Sequence, residues 1–243
     1  VVQYDDGVEM ELLKLISNTF SARRWMDAPA GFIQAESYLK SKTIASMLEA
    51  NTATCGWDDL ALFSDSHLNN PKESGASTFD NYQATTKSVL DVAKIAEEVA
   101  LMMAVTDENG DKLGVMPTAI GVPTEKYHGL VTLFKQDIIA SAAGTASIRN
   151  PYTDGMLKVV HMPELTSSVD WYLFDENLIA KGANPWVVSK LALPAPGFDS
   201  LSMRRFGEDS DHFKKTGKIA VSSRLFYGFK FLYPHAIRKV EGS

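Results

Sequence analysis

Cysteine is almost missing from this chain: Cys55 stands alone among 243 residues. A single thiol excludes an internal disulfide framework and a thiolate-only zinc site, so stability must come from packing or from association. Long apolar runs are missing too. No stretch approaches the roughly 20 residues needed to span a bilayer, and Val1-Val2-Gln3-Tyr4 carries neither a basic nor a hydrophobic leader region. The chain therefore reads as soluble and cytosolic in origin, with no membrane partner. Dense basic clusters are absent, since Arg23-Arg24 and Arg204-Arg205 are too short to form one, and the net charge is −6 with a pI near 5.4. Tight phosphate-backbone binding needs a concentrated positive surface and is disfavoured. Neither the Gly-x-x-x-x-Gly-Lys-Ser/Thr nor the Gly-x-Gly-x-x-Gly phosphate cradle occurs, and no Gly-x-Ser-x-Gly elbow is present.

What is present invites a search for chemistry. Ser64, Asp65, Ser66 and His67 hold every residue type of a hydrolytic triad within four positions. That closeness counts against catalysis, because triad members are brought together from distant parts of a fold and recognised by geometry. A solvated or subunit-contacting loop is the favoured reading. His67, His128, His161, His212 and His235 show no zinc spacing. Asp209, Asp211 and His212 read as an acidic surface loop, and Asp107-Glu108-Asn109-Gly110-Asp111 as a turn lacking the distal glutamate of a calcium loop. Met102-Met103 reads as core, and Trp57, Trp171 and Trp186 as packed aromatics that could also anchor an interface. The expectation is no catalytic, cofactor-binding or metal-binding residue, no cofactor, and no enzyme.

Hydrophobic periodicity predicts a mixed α and β chain of sizeable core. A helix is expected from Val8 to Phe20, a break at Arg23-Arg24-Trp25 and Pro29-Ala30-Gly31, and a weakly amphipathic helix from Phe32 to about Asn51. Residues 52–82 read as loop. From Thr85 to Met103 a helix is expected with Val89, Val92, Ala93, Ala96, Val99, Ala100 and Met103 on its inner face and Ser88 with Asp91 as its cap. A strand at Thr118 to Val122 leads through Pro123 into a helix packed by Tyr127, Leu130, Val131 and Phe134. Strands follow at Met156 to Met162, Val169 to Phe174 and Trp186 to Ala192. Pro194-Ala195-Pro196-Gly197 breaks the chain, Ser200 to Lys215 reads as charged and exposed, and the alternation of Tyr227, Phe229, Phe231 and Tyr233 reads as a closing strand.

In order, these landmarks resemble those of tailed-phage (or prophage) major capsid proteins, in particular the Mu-like major head subunit group. The features that carry it are Leu62-Phe63-Ser64 with His67 and Asn81, the helix to Met103, the Asp-Glu-Asn-Gly turn, Ile120-Gly121-Val122-Pro123 before the Tyr127 helix, Asn150-Pro151 with Gly155, Leu157 to Pro163, and Trp171-Tyr172-Leu173. Tyr233-Pro234-His235-Ala236-Ile237 is similar to the terminal strand of the Hong Kong 97 type of subunit. The resemblance implies an α+β, Hong Kong 97-type fold: a peripheral (P) domain over 1–84 with a long spine helix at about 32–51, an axial (A) domain with a central sheet over 85–205, and return strands over 206–243 completing the P domain. It implies a structural head protein, found in the virion capsid and made in the bacterial host cytoplasm. Its partners would be itself in hexamers and pentamers of an icosahedral shell, scaffolding, maturation protease and portal proteins, and packaged double-stranded DNA by non-specific contact at most. The family's N-terminal arm and E-loop find no room in residues 1–31, which read as helical, so they are expected to be absent or to lie upstream of Val1. The alternatives are an encapsulin-like compartment shell of the same fold and a soluble hydrolase using Ser64 to His67.

Overall fold

The computed structural model describes residues 2–11, 19–73, 75–88, 90–140, 147–190, 201–207, 209–216 and 218–242. In chain order the elements are β1 (Val2–Glu11), α1 (Thr19–Ala50), β2 (His67–Leu68), β3 (Thr78–Phe79), β4 (Tyr82–Ser88), α2 (Val92–Met103), β5 (Ala119–Val122), α3 (Thr124–Lys135), β6 (Ile138–Ala140), β7 (Ser147–Arg149) and β8 (Lys158–His161). They continue with β9 (Trp171–Phe174), α4 (Glu176–Ala180), β10 (Trp186–Lys190), β11 (Leu201–Phe206), α5 (Asp211–Thr216), β12 (Lys218–Phe231), a 3-10 turn (Pro234–Ala236) and β13 (Ile237–Gly242). The chain divides into two units, Val1–Thr43 with Val188–Phe229, and Ile44–Val187 with Lys230–Ser243. These breaks differ from the expected ones at 84/85 and 205/206.

In the first unit, the residues expected to begin a helix at Val8 lie in a strand. β1 pairs antiparallel with β12 from Val2↔Tyr227 to Glu11↔Lys218. The alternation of Val2, Tyr4, Val8 and Met10 with Gln3, Asp5, Glu9 and Glu11 has the period of a strand, and it outweighs the helical spacing traced from Val8. Residues 12–18, which carried the rest of that expected helix, lie outside the described residues. β11 flanks the other side of β12 in antiparallel register, so Leu201–Phe206, within the segment expected to be charged and exposed, is paired sheet. α1 also departs from expectation. It is one helix of 32 residues running through Arg23, Pro29 and Gly31. Proline in a helix interior forfeits one hydrogen bond and costs about 3 kcal/mol. Good helix formers on either side, such as Ala28, Ala30, Gln34 and Ala35, let so long a helix absorb that loss.

The second unit is built on a five-stranded sheet of order β4-β13-β9-β5-β8. β13 runs parallel to β4 and antiparallel to β9, and β5 runs antiparallel to β9 and parallel to β8. The last strand of the chain therefore lies inside this sheet, where the expectation had returned it to the first domain. All four residues of β5 and all four of β9 are buried, which is why Ala-Ile-Gly-Val and Trp-Tyr-Leu-Phe are unbroken apolar runs. Gly121 is required within β5, because a Cβ there would stand 2.8 Å from the Phe174 ring and 2.5 Å from Met162 Sδ.

α2 covers this sheet but begins at Val92, later than expected. Thr85 to Ser88 belong to β4, and Asp91 alone is the N-cap, accepting 2.7 Å from the Lys94 amide. Its buried face is Ile95, Glu98, Val99 and Met102, while Ala93, Ala96, Ala100 and Met103 are exposed. Counting alanine as apolar rotated the expected face; the larger side chains decide which side is buried. α3 follows Pro123 as expected, with Leu130 and Phe134 buried, and Phe134 stacks on Tyr152 at 5.1 Å. Residues 191–200, including the Pro194 to Gly197 break, lie outside the described residues.

Candidate functional site: the buried junction at His67 and Asn81

α1 ends at Ala50 and is followed by Asn51, whose φ of 47° is the left-handed conformation asparagine tolerates after a helix. Its amide then grips the following loop from both sides: Nδ2 donates to the Phe63 carbonyl at 2.8 Å, and Oδ1 accepts from the Phe63 amide at 2.9 Å. Asn81, only 3% exposed, repeats the device. Its Oδ1 accepts from the Ser64 amide at 2.9 Å, and its Nδ2 donates to the Leu62 and Pro234 carbonyls at 2.9 and 3.0 Å. Its carbonyl accepts from the Lys239 amide at 3.0 Å. One side chain thus joins the loop after α1 to the turn before β13.

His67 is fully buried, where a solvated or subunit-contacting loop was expected. Nδ1 lies 2.8 Å from Asp58 Oδ2 and Nε2 lies 3.0 Å from the Leu62 carbonyl. One ring nitrogen thus faces a carboxylate and the other a backbone carbonyl, and neither faces a serine hydroxyl. Ser64 Oγ is 3.3 Å from Ser66 Oγ and accepts from the Ser66 amide at 3.2 Å, and Asp65 is exposed. The Ser64 to His67 cluster is not arranged as a triad. The true partner of His67 is Asp58, which also accepts from the Leu68 amide at 3.1 Å.

Phe79 lies between two imidazoles, with its ring centroid 5.3 Å from that of His67 and 4.5 Å from that of His235, and Trp57 meets His235 edge-on at 4.9 Å. Burial pushes the His235 pKa down to about 4, helped by the nearby His67 and partly opposed by Asp58. Beyond Asn81, charge is buried deliberately. Arg238, 1% exposed on β13, donates through Nε to Glu98 Oε2 at 2.6 Å and through Nη1 to the Asp80 carbonyl at 2.7 Å. Lys94 Nζ lies 2.8 Å from the other Glu98 oxygen. Burial tends to lower the Lys94 pKa, but its bonds to Glu98 and Glu97 outweigh that and raise it. Lys239, also buried, reaches the Glu49 carbonyl at 3.2 Å.

Sequence reasoning missed Asn51, Asp58, Glu98, Arg238 and Lys239. A signal existed for some of them. Glu98 interrupts the apolar stripe Ile95, Val99, Met102, and Arg238-Lys239 interrupts the apolar run of β13. A charge in such a place points to a buried pair. Asp58 carries no comparable signal. The remaining expected residues are scattered. Asp107 is the anchor of its turn, accepting from the Asn109 and Asp111 amides at 2.8 and 2.9 Å. Asp211 opens α5, and His212 lies against the Phe206 ring. Trp171 is fully buried, whereas Trp57 and Trp186 are half-buried. Among the described residues, no group of three or more His, Cys, Asp or Glu is placed to hold a metal ion, and no helix is long and apolar enough to cross a membrane.

No curated protein sequence matches this chain. The backbone is similar to that of the capsid of cyanophage P-SCSP1u, with a TM-score of 0.58 at 12% identity over 99% of this chain and 72% of that one. It is similar also to a structure from Mycobacterium phage Patience, with a TM-score of 0.57 at 11% identity over 100% and 70% of the two chains. A third similarity is to the mature capsid of bacteriophage PhiM1, with a TM-score of 0.55 at 9% identity over 100% and 71%. These likenesses concern the fold. The sequence itself fits the model of a family described as phage capsid protein over residues 6–240. A match spanning nearly the whole chain, on a backbone of this kind, places it: the chain belongs to the phage capsid protein family.

Proposed function

We propose that this major capsid protein works as the repeating subunit of an icosahedral head of a tailed phage or prophage, arranged in hexamers and pentamers around double-stranded DNA. The observation that carries the reading is the family match from residue 6 to residue 240. Within it, the finer assignment is a Hong Kong 97-type subunit of the Mu-like group. The unit around the five-stranded sheet would be the axial domain, and the unit with β1 and most of α1 the peripheral domain, with α1 as spine helix. β1 paired with β12 is a candidate for part of an extended loop that the sequence alone did not suggest. A shell subunit needs a rigid body whose surfaces recur in quasi-equivalent contacts, and the Asn51, Asn81, His67 and Arg238 joints supply rigidity. The net charge of −6 suits a wall that confines DNA without gripping it. Scaffolding, maturation protease and portal proteins are the further partners of this reading, with assembly in the bacterial cytoplasm.

The test is electron microscopy of the full-length chain after expression, with nuclease protection of the particles' contents. Closed shells or capsomer rings that protect nucleic acid are expected. Shells holding protein cargo and no nucleic acid would replace this reading with the encapsulin-like one, and a monomer at all concentrations would overturn both. Turnover of an ester or peptide lost in His67→Ala would support a hydrolase in their place.

A further inference from the structure

We propose that a groove on the second unit receives Ile138 and Arg149, paired across β6 and β7, of a neighbouring copy of this chain. The inference rests on the self-assembly reading and names the surfaces that perform it.

The groove, of about 310 Å³, is lined by Trp57, Leu113, Leu178 and Tyr233, with Asp107 and Glu108. Leu113 and Tyr233 are 41% and 37% exposed, an apolar strip that a soluble monomer has reason to cover. Trp57 and Tyr233 face each other at 5.8 Å with rings tilted by 54°. The charge at the groove is acidic. Glu108 stands exposed with no ion-pair partner among the described residues, and an aromatic pair beside a carboxylate favours a cation. Apolar floor, aromatic wall and acidic rim together ask for an apolar side chain next to a basic one.

The chain presents that combination elsewhere on the same unit. Ile138 is 66% exposed, the largest value among the described bulky apolar residues. Its cross-strand partner is Arg149, so the two side chains are neighbours across the β6–β7 ladder. Among the described residues Arg149 is held only by Asp154, at 3.3 Å, in a pair about three-quarters exposed on both sides, and such pairs are weakly held. An exposed isoleucine beside a releasable arginine complements the groove in shape class and in sign. Knob and groove are different surfaces, so the contact is head-to-tail, the kind of interface that closes into rings.

A charge swap tests the pairing. Glu108→Arg and Arg149→Glu are each expected to raise the concentration needed for particle formation by about tenfold or more, and the double variant to restore it. Circular dichroism should be unchanged, because both side chains are exposed. Leu113→Cys combined with Ile138→Cys should give a covalent ladder of subunits on a non-reducing gel of oxidised particles, with no ladder from either single variant. Normal assembly by both single charge variants, together with no ladder, overturns the pairing while leaving the shell reading in place. No particles from the unaltered chain would overturn the shell reading and the pairing with it.

Discussion

Within the second unit, two regions obey opposite rules. Around Asn81 and Arg238, amide and charged side chains are buried in matched pairs: Arg238 on Glu98, His67 on Asp58, Asn81 on three backbone groups. Around Leu113 and Tyr233, by contrast, apolar side chains stand open to water beside exposed Glu108, which has no ion-pair partner among the described residues. The first arrangement carries a desolvation cost that the pairing offsets, and its return is a single shape. The second leaves apolar area uncovered until something else covers it. The difference separates the part of the subunit that keeps its form from the part that meets another molecule.

Arg238→Met should break the first region most. It strips Glu98 of its closest partner in a dry site, with an expected loss of about 3–5 kcal/mol in urea unfolding. Replacing Glu98 as well by Met should recover most of that, since an apolar pair leaves no buried charge. Asn81→Ala comes next, at about 2–3 kcal/mol, because the Ser64 amide and the Pro234 carbonyl lose their partner. A third effect appears with pH. The His235 pKa is depressed to about 4 from its ordinary value of 6.5, so its neutral form is favoured in the fold. Its stability contribution is present above pH 6.5 and is lost as pH falls toward 4, by about 3 kcal/mol. His235→Gln should flatten that part of the stability profile. Smallest of all, Leu113→Ser should change unfolding by no more than about 0.5 kcal/mol while weakening assembly, the reverse of the Arg238 result. Tyr172→Phe sharpens the rule from within the first region. The Tyr172 hydroxyl is buried without a hydrogen-bond partner among the described residues and burial holds its pKa far above the ordinary value, so its removal should be neutral or slightly stabilising.

Much of the second unit was legible in the sequence. The strand, proline and helix from Ala119 to Lys135, the Asn150 to Gly155 turn and the apolar run Trp171–Phe174 are local patterns, and each folds as its composition dictates. The first unit was less legible because its elements depend on distant partners. β1 becomes a strand by pairing with residues more than two hundred positions away, and α1 carries Pro29 only because a long helix surrounds it. The junction was half-visible. Ser64 to His67 drew attention to the right place for the wrong reason, since what matters there is the hidden pair with Asp58 and the bonds to Asn81. Asp58, nine residues before His67, becomes a partner only once the loop has folded.

Sedimentation velocity of the full-length chain over a rising concentration series tests the central claim most directly. The account predicts a shift from a slow species to rings or closed shells. A single monomer boundary throughout the series, with no particle by electron microscopy, would contradict it.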